Sequence, residues 1–93
     1  MAIALNSKIV RLEGVMFSQI DDDLVILNMA RNNYVNLDAT GRRIWELLEK
    51  PVHVDELCGQ LVREFAATKE QITADVLPFL AELEKDGLVR VVD

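Results

Sequence analysis

The sequence contains little of what catalytic and metal sites require. Its 93 residues include one cysteine, one histidine, two prolines and four glycines. A single cysteine excludes an internal disulfide and a CxxC motif. The glycines are scattered along the chain, so no glycine-rich loop is available to hold a phosphate group. We therefore predict that the protein is not an enzyme and that it binds neither a metal ion nor a cofactor.

The few chemically active side chains do not combine into a site. His53 and Cys58 are five positions apart, about 140° around a helix, so they cannot form a dyad on one helix. Residues 21–23 are three consecutive aspartates. A calcium loop of the EF-hand type that starts there would need glycine at Ile26 and glutamate at Asn32. The aspartates are therefore predicted to form a solvated hairpin turn.

An excess of basic residues and a long apolar run are also lacking. Ten Lys and Arg residues stand against sixteen Asp and Glu residues, which gives a formal charge of −6 and a pI near 4.7. This charge would repel DNA, so we expect no nucleic-acid partner. No stretch approaches the roughly 18 apolar residues of a membrane span, and no signal peptide is recognisable. With one cysteine, these features favour a cytoplasmic protein without a membrane partner.

The composition is otherwise that of a folded domain, with 51% hydrophobic and 28% charged residues. Residues 1–93 are expected to form a single domain. Short runs rich in valine, isoleucine and phenylalanine predict an antiparallel meander of strands over 15–20, 24–29 and 34–37, with a further strand over 8–12. The nearly continuous apolar run at 24–29 indicates a central strand that is buried on both faces.

After Leu37 the apolar spacing changes from about two to about 3.6 residues, the helical repeat. Helices are predicted over 38–49, 54–66 and 69–86, and 88–92 is a last extended segment. The resulting fold class is α+β, winged-helix-like, with an N-terminal three-stranded antiparallel sheet followed by three helices. Whether the last segment covers a sheet edge is left open by the sequence.

A winged helix raises DNA binding as an alternative function. The third predicted helix, 69–86, carries two lysines against five acidic residues. A recognition helix in the major groove needs the opposite charge. A DNA-binding regulator is therefore the alternative that the charge pattern disfavours.

The run of residues 33–48, NYVNLDATGRRIWELL, resembles the central part of the PqqD-like family. Residues 54–57, 75–83 and 87–88 continue the resemblance in the same order. Members of that family are winged-helix domains that hold the leader of a ribosomally made precursor peptide and present it to modifying enzymes. The resemblance implies that the leader adds as a strand to the third strand and lies in a cleft bordered by the third helix.

Transferred residue by residue, this resemblance implies eight peptide-binding positions. The docking strand would be Tyr34, Val35, Asn36 and Leu37, and the facing helix wall would be Ile72, Asp75, Val76 and Phe79. The three apolar wall residues share one helical stripe with Asp75 at its margin. Such a stripe is also what an ordinary core helix shows, and that alternative stays open.

The resemblance implies a non-catalytic protein whose partners are a precursor leader and a modifying enzyme. Segment 28–33 lacks the proline expected of members that serve pyrroloquinoline quinone (PQQ) assembly. A lasso-peptide leader protease or cyclase is therefore favoured as the partner, with a radical-SAM enzyme next. A structural subunit that forms a homodimer through the same apolar edge is a third alternative.

Overall fold

Two three-stranded antiparallel sheets and three helices make up the described part of the chain. The structure is a computed structural model that describes residues 3–13, 15–21, 23–28 and 32–92. The elements in chain order are β1 (Lys8–Arg11), β2 (Met16–Ile20), β3 (Asp23–Asn28), β4 (Asn33–Leu37), α1 (Ala39–Leu47), β5 (Val52–His53), α2 (Val54–Phe65), α3 (Lys69–Lys85) and β6 (Val89–Val92). The predicted α+β class is confirmed.

Strands β2, β3 and β4 form the predicted meander, with β3 in the centre. The register places Leu24 opposite Leu37 and Ile26 opposite Val35. At the two turns Asp21 and Asn32 have φ angles of 55° and 56°, a left-handed conformation that Asp and Asn tolerate better than most residues. Residue 22 of the predicted aspartate turn lies outside the described residues, as do residue 31 and position 29 of the predicted second strand.

The prediction that the central strand is buried on both faces is wrong. Leu24 and Ile26 are buried against the helices, but Leu27 on the other face is 42% exposed. Leu27 pairs with Met16 on one side and Tyr34 on the other, and all three side chains are exposed. The reason is that β3 packs on α1 with one face only. The apolar run in the sequence therefore did not mean that a second layer of structure covers the outer face of β3.

Strand β1 does not extend the meander, contrary to the prediction for residues 8–12. It lies at the centre of a second sheet in the order β5-β1-β6. The last segment, left open by the sequence, pairs as β6 along β1 from Val89 to Val92. Strand β5 was missed because its two residues are too short to show a periodicity. The last strand of the described chain, β6, thus belongs to the second sheet.

The helices begin and end close to the predicted positions. The Asp38 carboxylate accepts a hydrogen bond from the backbone N–H of Gly41 at 2.9 Å and caps α1. Thr68 and Gln71 form a reciprocal capping box at the start of α3. His53 occupies the N-cap position of α2 without a side-chain cap bond. None of the helices in the described ranges is long and apolar enough to cross a bilayer.

The core forms where the three helices meet the inner face of the meander. Trp45, Leu57 and Leu80 are among its fully buried side chains. Cys58 is also buried, and burial raises the pKa of its thiol. Phe65 is 39% exposed, because it is the last residue of α2.

A two-pronged ion pair ties α1 to α2 at the surface. The Nε and Nη2 atoms of Arg43 donate to the two carboxylate oxygens of Glu64 at 2.7 and 2.8 Å. This hydrogen bonding, with a further bond from Gln60, lowers the pKa of Glu64 from 4.5 to about 2. Stability from this pair is therefore fully present above pH 4.5 and is lost as the pH falls towards about 2.

Glu64→Gln should remove that acid-sensitive contribution. We expect the variant to melt at a lower temperature than wild type at neutral pH, and the difference to shrink as the pH falls from about 5 to about 2. Thermal unfolding followed by circular dichroism measures this. In an Arg43→Gln background the same substitution should have almost no effect, and an equal effect in both backgrounds would contradict the assignment.

Candidate functional site: the groove beside β4

A groove of about 510 Å³ opens between the C-terminal half of β4, the first turns of α1 and one side of α3. Strand β4 and the turn after it form one wall, α3 forms the other, and α1 closes the bottom. The lining residues are Asp23, Asn36, Leu37, Asp38, Thr40, Gly41, Ile44, Ile72, Asp75, Val76 and Phe79.

Strand β4 is an edge strand within the described part of the chain. It pairs with β3 along its whole length, and its other side has no strand beside it. The C-terminal strand β6 pairs with β1 in the other sheet, so it does not cover this edge. An uncovered edge presents backbone N–H and C=O groups that an extended peptide can pair with.

Six of the eight sequence-predicted positions line this groove. They are Asn36 and Leu37 from β4 and Ile72, Asp75, Val76 and Phe79 from α3. Tyr34 and Val35 lie on β4 outside the groove. The Tyr34 side chain is 68% exposed on the outer face of the sheet, and Val35 packs against the core. Val35 and Leu37 therefore face the core, on the side of β4 opposite Tyr34.

The helix wall offers its residues unequally to a ligand. Ile72 and Val76 are 6% and 1% exposed, so they belong mainly to the core. Phe79 is half-buried, and Asp75 is exposed. The apolar stripe thus serves as core and as groove wall at once, and Phe79 and Asp75 are the wall residues most accessible from the groove.

Sequence reasoning missed the groove residues that come from outside β4 and α3. Asp23 begins β3 and is adjacent to Leu24, which pairs with Leu37, so sheet register brings it to the end of β4. Asp38, the first residue of the first predicted helix, was not identified as part of the site. Among these residues, only Gly41 could have been found from the sequence. A glycine inside a predicted helix often marks a place where another element packs closely against the helix.

The groove is acidic as well as apolar. Three of its lining residues are aspartates, Asp23, Asp38 and Asp75, and none is a lysine, arginine or histidine. These carboxylates do not make a metal centre, because no group of three His, Cys, Asp or Glu residues in the described ranges is placed to hold an ion. The chemistry suits an apolar segment that carries a hydrogen-bond donor or a positive charge.

Gly41 sets how closely the groove walls approach its floor. A Cβ atom at this position would lie 3.2 Å from the Leu37 Cβ and 3.3 Å from the Phe79 Cζ. Both distances are shorter than ordinary van der Waals contact, so any side chain would push the strand or the ring outwards. The glycine therefore permits β4 and Phe79 to close over the start of α1.

The groove lies within a segment that matches a known protein family. The family model described as coenzyme PQQ synthesis protein D (PqqD) matches residues 23–89, which include every groove-lining residue. The chain belongs to the PqqD family. The resemblance noted in the sequence is thereby confirmed, because the matched segment covers most of the chain. A comparison with curated protein sequences gave no significant match.

A solved structure is also similar to the structure of this chain. TbiB1, determined in complex with the TbiA(β) leader peptide, matches with a TM-score of 0.77 at 30% sequence identity. The match covers 87% of this chain and 94% of the TbiB1 chain. The similarity therefore extends over nearly the whole fold in both proteins.

Gly41→Ala should disturb the groove, whereas Gly59→Ala should not. Gly59 lies inside α2, and no atom lies within 4 Å of where a Cβ would be, so alanine there is expected to stabilise the protein by up to about 1 kcal/mol. At Gly41 the contacts with Leu37 and Phe79 should offset that gain and leave the variant about 1 kcal/mol less stable than wild type. Urea unfolding measures both, and NMR should show shifted Phe79 ring signals only for Gly41→Ala. Equal stabilisation by both substitutions would contradict this account.

Proposed function

We propose that this PqqD-family protein binds the leader of a ribosomally made precursor peptide by strand addition at β4. The observation that carries the proposal is the uncovered edge of β4 beside a groove that is lined by six of the eight positions implied by the family resemblance. The similarity to TbiB1, whose structure holds a leader peptide, supports it.

In strand addition, the backbone and the side chains make different contributions to binding. Backbone groups of residues 34–37 supply hydrogen bonds that do not depend on the leader's sequence. Phe79 and Asp75 supply the sequence preference, because they are the accessible wall residues of the groove. An apolar leader side chain packs on the Phe79 ring, and a donor or cation next to it meets Asp75.

The leader is expected to be disordered before it binds, so ordering it offsets part of the contact energy. One short strand and one groove therefore give moderate affinity, on the order of micromolar or somewhat tighter. Such affinity suits a protein that must release the peptide after another enzyme has acted on it.

The protein's role in this proposal is non-catalytic presentation of the precursor to a partner enzyme. A leader protease or cyclase of the lasso-peptide type is the favoured partner, with a radical-SAM enzyme of the PQQ type next. The absence of proline from residues 28–33 favours the first. Adjacent genes would distinguish the two. A short precursor reading frame would lie beside a protease or cyclase gene in the first case and beside a radical-SAM enzyme gene in the second.

Phe79→Ala should weaken leader binding, with Phe65→Ala as the matched control. The TbiA(β) leader peptide is the probe, and TbiB1 is the positive control. Loss of the Phe79 ring removes apolar contact area from the groove and should raise the Kd about tenfold or more. Phe65 is 39% exposed on α2, away from the groove, so its loss should change the Kd by less than about twofold.

Hydrogen exchange of the wild-type complex locates the peptide. Amides of residues 34–37 should gain protection when the TbiA(β) leader is added. Protection confined to the turns, or no binding at leader concentrations about a hundredfold above those that saturate TbiB1, would contradict the proposal. Light scattering of the free protein over a concentration series would show whether β4 is instead occupied by a second copy.

Asp75→Asn should reduce the salt dependence of binding for a leader that carries a lysine near its apolar anchor. An exposed carboxylate attracts the lysine less strongly as the Debye length shortens, so wild-type affinity should fall from about 50 to about 500 mM NaCl. The variant should bind more weakly at low salt and show a smaller fall. Glu82→Gln, an exposed acidic position on α3 that does not line the groove, is the control, and an identical change there would contradict the role of Asp75.

A further inference from the structure

A second cleft lies on the other side of α1, under the inner face of β2. Its volume is about 250 Å³, and the sheet, α1 and β1 all contribute to it. The lining residues are Arg11, Phe17, Gln19, Leu24, Arg42, Trp45, Glu46 and Glu49. None of these residues lines the groove beside β4.

Aromatic rings hold one arginine in this cleft. The guanidinium carbon of Arg11 lies 5.3 Å from the ring centroids of both Phe17 and Trp45. Its Nη1 donates to the backbone carbonyl of Trp45 at 3.2 Å. The two rings meet edge to face with centroids 6.1 Å apart. Because a guanidinium has five N–H groups, Arg11 is positioned with further donors to offer.

Two residues that line the cleft each carry a buried N–H donor with no hydrogen-bond acceptor among the described residues. The donors are the indole Nε1 of Trp45, a side chain that is only 1% exposed, and the Nε of Arg42. Buried N–H groups are nearly always hydrogen-bonded, since losing water without a new partner is costly. Two such donors in residues that line one cleft indicate an acceptor that comes from outside the described chain.

The charges of the cleft favour a carboxylate as that acceptor. Within the described residues neither Arg11 nor Arg42 forms an ion pair with an acidic side chain. Glu46 also lines the cleft, but its carboxylate is exposed and bound to Arg43 at 3.3 Å, and Glu49 is exposed to solvent. Water screens these two carboxylates, whereas the buried donors are not screened.

The edge of β2 provides a backbone to which such a ligand can pair. Within the described chain β2 pairs with β3 only, and all five of its residues, Met16–Ile20, are exposed. Strands in a sheet are about 4.8 Å apart, so the β2 edge is roughly 10 Å from β4. An extended peptide that runs along β4 cannot occupy both edges.

We propose that the cleft between β2 and α1 binds an aspartate or glutamate side chain of a second polypeptide, a segment of a partner protein that pairs with the free edge of β2. The carboxylate accepts hydrogen bonds from Trp45 Nε1 and Arg42 Nε and lies beside the Arg11 guanidinium. This site goes beyond the proposed leader site and does not depend on which peptide β4 binds.

The single tryptophan makes the site directly observable. Trp45 is the only tryptophan in the chain, so its indole N–H gives one NMR signal. The probe is the peptide acetyl-Val-Thr-Val-Glu-Val-Thr-amide, and its matched control has glutamine in place of glutamate. The glutamate peptide should shift the indole signal downfield and protect amides of β2, and the glutamine peptide should bind about tenfold more weakly.

Substitutions test the donors separately from the fold. Arg42→Met keeps the apolar stem and should weaken the glutamate peptide about tenfold while leaving the glutamine peptide unchanged. Arg63→Met, on α2 and outside the cleft, should leave both affinities unchanged. If Arg42→Met does not fold, the comparison of the two peptides on the wild-type protein still decides the question.

Three results would overturn the inference. They are an indole signal that does not move, equal affinity for the glutamate and glutamine peptides, and displacement of the glutamate peptide by the TbiA(β) leader. The last would place both peptides at β4. Conversely, failure of the TbiA(β) leader to bind while the glutamate peptide shifts the indole signal would count against the leader site alone.

Discussion

The packing of one face of a three-stranded sheet on α1 is the constraint on which the rest of this structure depends. Leu24, Ile26 and Leu37 are buried on that face, and their burial fixes the register of the meander. A sheet this small has two edges and only one central strand, so burying the face leaves both edges open to pairing. The uncovered edge of β4 is therefore a direct consequence of how the core is built.

Helix α1 separates the two clefts because its residues point to opposite sides. Gly41 and Ile44 line the groove beside β4, whereas Arg42 and Trp45 line the cleft under β2. Successive residues on a helix are about 100° apart, so positions one apart readily face different neighbours. A single short helix thus carries the floor of an acidic, apolar groove and the wall of a cleft with buried N–H donors.

Membership in the PqqD family and the similarity to TbiB1 place this chain among small proteins with the same architecture. The two clefts of this chain differ from each other in their chemistry. Its groove has three aspartates and no cation, and its second cleft has two arginines beside the only tryptophan. Electrostatic differences of this kind decide between partners more than they decide affinity.

The sequence by itself determined the fold class, the central position of β3 and the approximate bounds of the three helices, because apolar periodicity is a local property. Only the tertiary structure decided which strands share a sheet: β1 joined β5 and β6, and the groove gained Asp23 through its pairing next to β4. Strand partners and cleft linings depend on contacts between residues far apart in sequence, and no local pattern encodes these contacts.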